Sequence, residues 1–133
     1  MPRALFSIKL EYVERIFSKE KRFEFRTIAC RKQITKIIIY ETSPVSKIVG
    51  EVSVLKILKD SPEKLWEQTK EFAGTDFESY SKYFVNRKVA YAYVLENPIK
   101  YENPKLLKDY NISVAPQSFM YLEETKAGVA GGV

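Results

Sequence analysis

There is no histidine among the 133 residues, and there is one cysteine, Cys30. Those absences exclude a disulfide framework, a zinc-finger spacing and any Ser-His or Cys-His nucleophilic dyad. No glycine-rich turn follows the first strand-like segment, so a dinucleotide-binding Rossmann sheet is excluded as well. Nor does any apolar run approach the roughly 20 residues needed to cross a bilayer, and Met1 to Phe6 carries no apolar leader region. The expectation is a soluble, cytoplasmic protein that needs no cofactor. Glu51 and Asp60 form no evident metal-binding set with Glu24, and no metal site is expected. A lone thiol beside Arg31 and Lys32, Cys30 reads as a buried or merely exposed side chain rather than a reactive one.

What the chain does have is an uneven charge. Its formal net charge is +5, yet residues 1–40 hold ten basic residues against four acidic ones, so the other 93 residues sum to −1. A one-sided basic surface suits a polyanion, because phosphate contacts supply most of the non-specific affinity for nucleic acid. A solvated lysine-rich surface would give the same composition.

The length fits one domain able to bury a core of its own, expected over residues 1–125 with a glycine-rich tail at 126–133. Ala4 to Lys9 reads as a strand. Leu10, Val13, Ile16 and Phe17 then recur at helical spacing, and Arg22 to Ile28 returns to a two-residue period. Lys36 to Glu41 is a β-branched run suited to a strand buried on both faces. Ile48 to Leu58 is a long strand with a bend or bulge at Gly50. Ser61-Pro62-Glu63 opens a helix with a capping hydroxyl, proline at the first turn and an acid complementing the dipole. That helix is expected to reach Ala73 and end at Gly74. Asp76 to Val85 reads as another helix and Val89 to Leu95 as a central strand. Pro98 and Pro104 bracket a connector, Lys105 to Tyr110 gives a helical turn, and Ser118 to Leu122 closes as a last strand. Six strands with a few short helices and no regular βα alternation indicate an α+β domain, a small mixed β-barrel.

The segment Lys21-Arg22-Phe23-Glu24-Phe25-Arg26 is the candidate functional centre. On a strand, Arg22, Glu24 and Arg26 share one face and Phe23 and Phe25 the other. A carboxylate between two guanidinium groups, with Lys21 at the strand's entrance, suits a phosphate and the hydrogen-bonding edge of a base. The same residues also read as an ion-pair ladder that fixes the strand's register and binds nothing.

Lys21, Glu24 and Arg26 resemble the G-x-K-x-x-E-x-R motif of the ASCH family, within the PUA-like superfamily of small β-barrels, with Lys19 standing at the glycine. Ser7-Ile8-Lys9 before the helix, Ala90-Tyr91-Ala92-Tyr93 with Pro98, Tyr101 and Pro104, and Pro116-Gln117-Ser118-Phe119 add to the resemblance, which extends over residues 4–122. It implies a PUA-like barrel with a charged cleft beside the first helix that binds RNA, single-stranded or modified, or a nucleotide. Lys9, Lys21, Arg22, Glu24, Arg26, Arg31, Gln117 and Ser118 are then the expected binding residues. Lysines would anchor phosphate, Arg26 would bind it bidentately and Glu24 would accept from a base amino group. Tyr40, Tyr91, Tyr93 and Tyr121 are candidate stacking platforms.

The resemblance also implies an alternative, since some relatives are amidohydrolases of acetylated cytidine and some are reported ribonucleases. In the amidohydrolases a lysine activates a threonine three residues later. Here Glu24 stands at that position, and Thr27 would face the other side of a regular strand. Were the protein an enzyme, Lys21 and Glu24 would be its catalytic pair, Glu24 serving as base on a 2′-hydroxyl in the ribonuclease version. Binding without catalysis is the favoured expectation.

Overall fold

The computed structural model describes residues 2–122. β1 (Arg3–Ile8) leads into α1 (Leu10–Phe17), whose Val13 and Ile16 are buried as the helical spacing requires. The chain leaves α1 through Ser18 and then Lys19, which lies in the left-handed region at φ 70°. An L side chain there costs about 1–2 kcal/mol, which is why glycine ordinarily fills this position after a helix. The turn is therefore made with a lysine in the place of the glycine. Lys19→Gly should raise the unfolding free energy by roughly 0.5–1 kcal/mol, the strain relieved less the added freedom of the unfolded chain. Urea denaturation measures it, and an unchanged or lower midpoint would contradict the strain argument.

β2 (Phe23–Arg26) is only four residues long. β3 (Lys36–Glu41) is buried on both faces, Ile37 and Ile39 joining one core cluster and Ile38 and Tyr40 another. β4 (Lys47–Asp60) follows as a 14-residue strand. Its register shifts at Gly50, where a Cβ would strike the Ile99 carbonyl and the Phe17 ring. A side chain at that point would separate the two longest strands.

In α2 (Pro62–Thr69) the Ser61 hydroxyl caps the first turn, accepting from the Lys64 amide. The helix stops before the expected Ala73, tightening into a 3₁₀ turn over Lys70–Phe72 ahead of Gly74 at φ 69°. α3 (Phe77–Tyr83) is capped by Asp76, whose carboxylate accepts from the Ser79 amide.

β5 (Ala90–Lys105) departs from the sequence expectation. It runs 16 residues, through the segment read as a proline connector. Asn97 takes a left-handed conformation at φ 54°, and the pairing with β4 skips from Ser53–Glu96 to Glu51–Ile99. Pro98 therefore sits in a bulge, where the amide hydrogen it lacks is not needed by the ladder. A 3₁₀ turn over Leu107–Tyr110 precedes β6 (Phe119–Leu122).

The six strands form one sheet in the order β2-β5-β4-β3-β1-β6, with β1 and β3 parallel and the other neighbours antiparallel. The domain is mixed α+β, a curled half-barrel with three helices. One apolar cluster, including Phe6, Val13, Ile16, Ile37, Val52 and Tyr93, fills the concave side beneath α1. A second, around Phe25, Leu65, Tyr80 and Phe84, seats α2 and α3 against β2 and β5. β2 and β6 stand at opposite ends of the strand order, and the site lies where the curl brings their ends together. Among the described residues no helix is long and apolar enough to cross a membrane. The predicted tail at 126–133 lies outside the described residues.

Candidate functional site

A two-residue period decides which β2 side chains meet the core. Phe25 joins the α2–α3 cluster with Phe23 packed against it, while Glu24 and Arg26 leave the opposite face. Arg26 crosses from β2 to the far end of the sheet. Its Nε and Nη2 donate to Glu24 Oε2 at 3.1 and 2.8 Å, its Nη2 also donates to the Ser7 carbonyl at 3.1 Å, and its Nη1 donates to the Ser118 carbonyl and hydroxyl at 3.3 and 2.9 Å. The guanidinium plane rests on the Phe6 ring, 4.6 Å from its centroid.

Arginine has five N–H donors, and these five bonds use all of them. Arg26 is thus a clip that closes the open side of the half-barrel by tying β2 to β1 and to the start of β6. The bidentate phosphate contact expected of it is not available, because no donor is left. Its partner is in a different state: both bonds fall on Glu24 Oε2, leaving Oε1 with no hydrogen bond from the described residues.

Lys21 is also buried, at 4% exposure. Its ammonium donates to the Ala73 carbonyl at 2.9 Å and lies 5.0 Å from the Tyr12 ring centroid and 4.8 Å from that of Phe25. It makes no ion pair with a carboxylate of the described residues. Burial pushes its pKa down from 10.5 to about 8; the Glu24 charge opposes that displacement, while Arg26 and Arg15 add to it. The supporting layer is local: Arg15 Nη1 donates to the Gly74 carbonyl at 2.9 Å, the Lys21 amide donates to the Arg15 carbonyl at 2.9 Å, and a Cβ on Gly74 would collide with the Lys21 side chain. The αL glycine and the arginine together press the turn after α2 onto the lysine.

Around these groups lies an open cleft of about 750 Å³, within the range of ordinary small-molecule sites. Lys9, at the N-cap of α1, and Lys82, on α3, contribute cations; Ser7, Thr75, Ser79, Gln117 and Ser118 contribute polar groups, and Tyr12, Tyr80 and Tyr83 contribute rings. Glu11 adds a second carboxylate.

Of the residues expected from sequence, Lys9, Lys21, Glu24, Arg26, Gln117 and Ser118 converge here. Arg22 and Arg31 do not. Arg22 precedes the strand instead of belonging to it, and its guanidinium stacks on Phe72 at 3.8 Å with Nε donating to the Lys19 carbonyl. Arg31 is exposed on the loop after β2, outside the cleft lining. The proposed stacking tyrosines also lie elsewhere: Tyr40 and Tyr93 are buried core residues, the Tyr93 hydroxyl accepts from the Cys30 amide, that of Tyr121 accepts from the Lys32 amide, and Tyr91 is not in the lining. Tyr12, Thr75, Ser79, Lys82 and Tyr83 were missed. Tyr12 and Tyr83 fall on helices whose apolar spacing reads as packing, and nothing local shows that α3 folds back over β2. Cys30 is a free, buried cysteine, and that burial raises its pKa.

The domain is a mixed α+β half-barrel with a lysine, a carboxylate and an arginine clip at its open side. Residues 6–105 match the ASCH domain family, and the chain belongs to it. The structure is similar to the crystal structure of an ASCH protein from Zymomonas mobilis, with a TM-score of 0.83 and 26% identity, covering 95% of this chain and 91% of that one. The chain is also 31% identical over 120 residues, 90% of its length, to the ATP synthase subunit alpha of Ureaplasma parvum, of which it spans 15%. It is 28% identical over 104 residues, 78% of its length, to the large ribosomal subunit protein uL22 of the same organism, of which it spans 33%. The chain thus corresponds to a third or less of the length of these two relatives.

Proposed function

We propose that this ASCH domain binds RNA by drawing one nucleotide into the cleft. The observation that carries the reading is a recess of about 750 Å³ lined by Lys9, Lys21 and Lys82 together with a carboxylate, Glu24, one oxygen of which accepts no hydrogen bond from the described residues. Lys9 and Lys82 serve as phosphate anchors at the rim, Glu24 Oε1 accepts from a base amino group, and Tyr12 and Tyr83 offer rings for stacking. The basic bias of residues 1–40 supports the same reading. So does the recurrence of similar segments within a ribosomal protein and an ATP synthase subunit, since a segment carried by two such different proteins fits a self-contained binding unit.

Fluorescence anisotropy with short single-stranded RNA over a salt series tests it. Lys9→Ala and Lys82→Ala should each weaken binding and lower the slope of log K against log salt by about 0.7, the contribution of one single-strand phosphate contact. Binding that ignores salt, or that survives loss of both lysines, would overturn the proposal.

One observation favours a second reading, a hydrolase of modified nucleosides. A buried lysine with a pKa brought down to about 8 is partly neutral near physiological pH and can take a proton. Release of the acyl group from N-acylated nucleosides, lost in Lys21→Met, would establish it.

A further inference from the structure

Lys21 has the environment of an amine that can form covalent bonds. Its stem is buried, so the nitrogen is held in one place rather than sweeping through solvent as surface lysines do. Among the described residues its one hydrogen bond goes to the Ala73 carbonyl, which is not part of the cleft lining. The rest of the nitrogen faces the space between Tyr12 and Phe25, two rings that themselves line the cleft. No carboxylate of the described residues ion-pairs with it to hold the proton, while Glu24 stands close enough for its charge to be felt. Lys9 and Lys82 lie on the same recess and can receive an anion attached to the reacting molecule.

We propose that Lys21 condenses with aldehydes that carry a phosphate group, forming an imine within the cleft. The neutral amine's lone pair bonds to the carbonyl carbon as the C=O π pair moves to oxygen. Transfer of a proton from nitrogen to that oxygen gives a carbinolamine; the hydroxyl then takes up a second proton and leaves as water as the nitrogen lone pair forms the C=N bond and the nitrogen gives up its remaining proton, so that both amine protons end in the water. No oxidant or reductant takes part. Glu24, whose Oε1 accepts no hydrogen bond from the described residues, lines the same cleft and is the carboxylate to which we assign the proton relay. A ring-opened sugar phosphate, such as the aldehyde left at a nucleotide that has lost its base, has this chemistry. The inference goes beyond RNA binding and does not depend on it, since a small phosphorylated aldehyde needs only the recess.

The charged groups acting on the amine come from more than one element: Arg15 on α1 and Glu24 and Arg26 on β2. With Lys21 titrating at about 8, its unprotonated fraction near neutrality exceeds that of an ordinary lysine more than a hundredfold; the lower basicity gives back part of that as weaker nucleophilicity.

The probe is pyridoxal 5′-phosphate, followed by borohydride reduction and peptide mapping by mass spectrometry on the full chain. The expected result is at least about tenfold more adduct at Lys21 than at Lys9 or Lys82 near neutral pH, the net of those two effects. Labelling of Lys21 should rise to a plateau above its pKa of about 8. Phosphate-free pyridoxal should label Lys21 more slowly, and Lys21→Arg should lose the adduct. Adducts spread over the exposed lysines, or an unlabelled Lys21, would overturn the proposal; equal rates with pyridoxal would remove its phosphate component. The wild-type map decides by itself if the arginine variant does not fold. RNA anisotropy on the same sample reads the other proposal separately.

Discussion

Replacing Arg26 by alanine should cost about 3–5 kcal/mol of folding free energy, the range for breaking one side of a buried charge pair. The size of the effect comes from what is stranded. Glu24, at 6% exposure, would lose the partner of its buried carboxylate, and the Ser7 and Ser118 oxygens would lose their donors. The link between β2 and the β1–β6 end of the sheet would go with them, because those strands share no ladder. Against a total stability of typically 5–15 kcal/mol, such a loss takes the protein close to unfolding. Lysine should not rescue it, since a point charge cannot supply five donors in a plane. Arg22→Ala, two turns of the pleat away on an exposed stack, should cost less than about 1 kcal/mol. Urea denaturation of the three variants provides the measurement. Equal, small losses at positions 22 and 26 would show that Arg26 is not a clip.

Lys21→Met should have the opposite effect on stability and should disable the site. Bringing the lysine's pKa from 10.5 to about 8 reflects a penalty of roughly 3 kcal/mol for keeping the charge buried. Methionine keeps the length without the charge, though it leaves the Ala73 carbonyl without its donor, at about 1–3 kcal/mol. A net gain of up to about 2 kcal/mol at pH 7 follows, together with loss of the imine. The pH dependence separates this from ordinary repacking. Below about 8 the folded and unfolded wild type both hold the proton, so the penalty is fully present. Between about 8 and 10.5 the unfolded chain binds more protons than the folded one, and wild-type stability rises with pH. The variant lacks that rise, so its advantage should shrink across this window and reverse near the top, where the neutral lysine still donates to Ala73. Denaturation midpoints at pH 7 and pH 10 measure the crossover. A wild-type lead at both would mean that the buried ammonium is better compensated than its surroundings indicate.

Both predictions separate two roles that the sequence runs together. Lys21, Glu24 and Arg26 look alike as polar residues in one short motif, yet one is a buried cation with a lowered pKa, one is bonded through a single oxygen among the described residues, and one is a structural clip. Arg26 spans strands as a ladder rung would, while Glu24 and Lys21 line the cleft.

Local signals carried much of the fold. The helical spacing of Val13 and Ile16, the β-branched run at 37–39, the Ser61-Pro62 start and the bulge at Gly50 each act through neighbouring residues, so they were legible along the chain. The continuation of β5 through Pro98 was not, because a bulge is defined by the partner strand that skips a residue, and that partner lies more than forty positions away. The same holds for Arg22, whose neighbour on the page is Phe23 but whose neighbour in space is Phe72.

By itself, then, the sequence determined a mixed α+β fold with no histidine and a single cysteine among its 133 residues, and it located the lysine and the carboxylate that the cleft brings together. Only the tertiary structure decided that Arg26 has no donor to offer a ligand, that Tyr12, Tyr83 and Lys82 complete the recess, and that Lys21 sits in a poorly solvated place. The physical reason is that desolvation and hydrogen-bond saturation depend on everything within a few ångströms of a group. For these side chains those surroundings come from α1, the turn after α2, α3 and the start of β6, which only folding brings together.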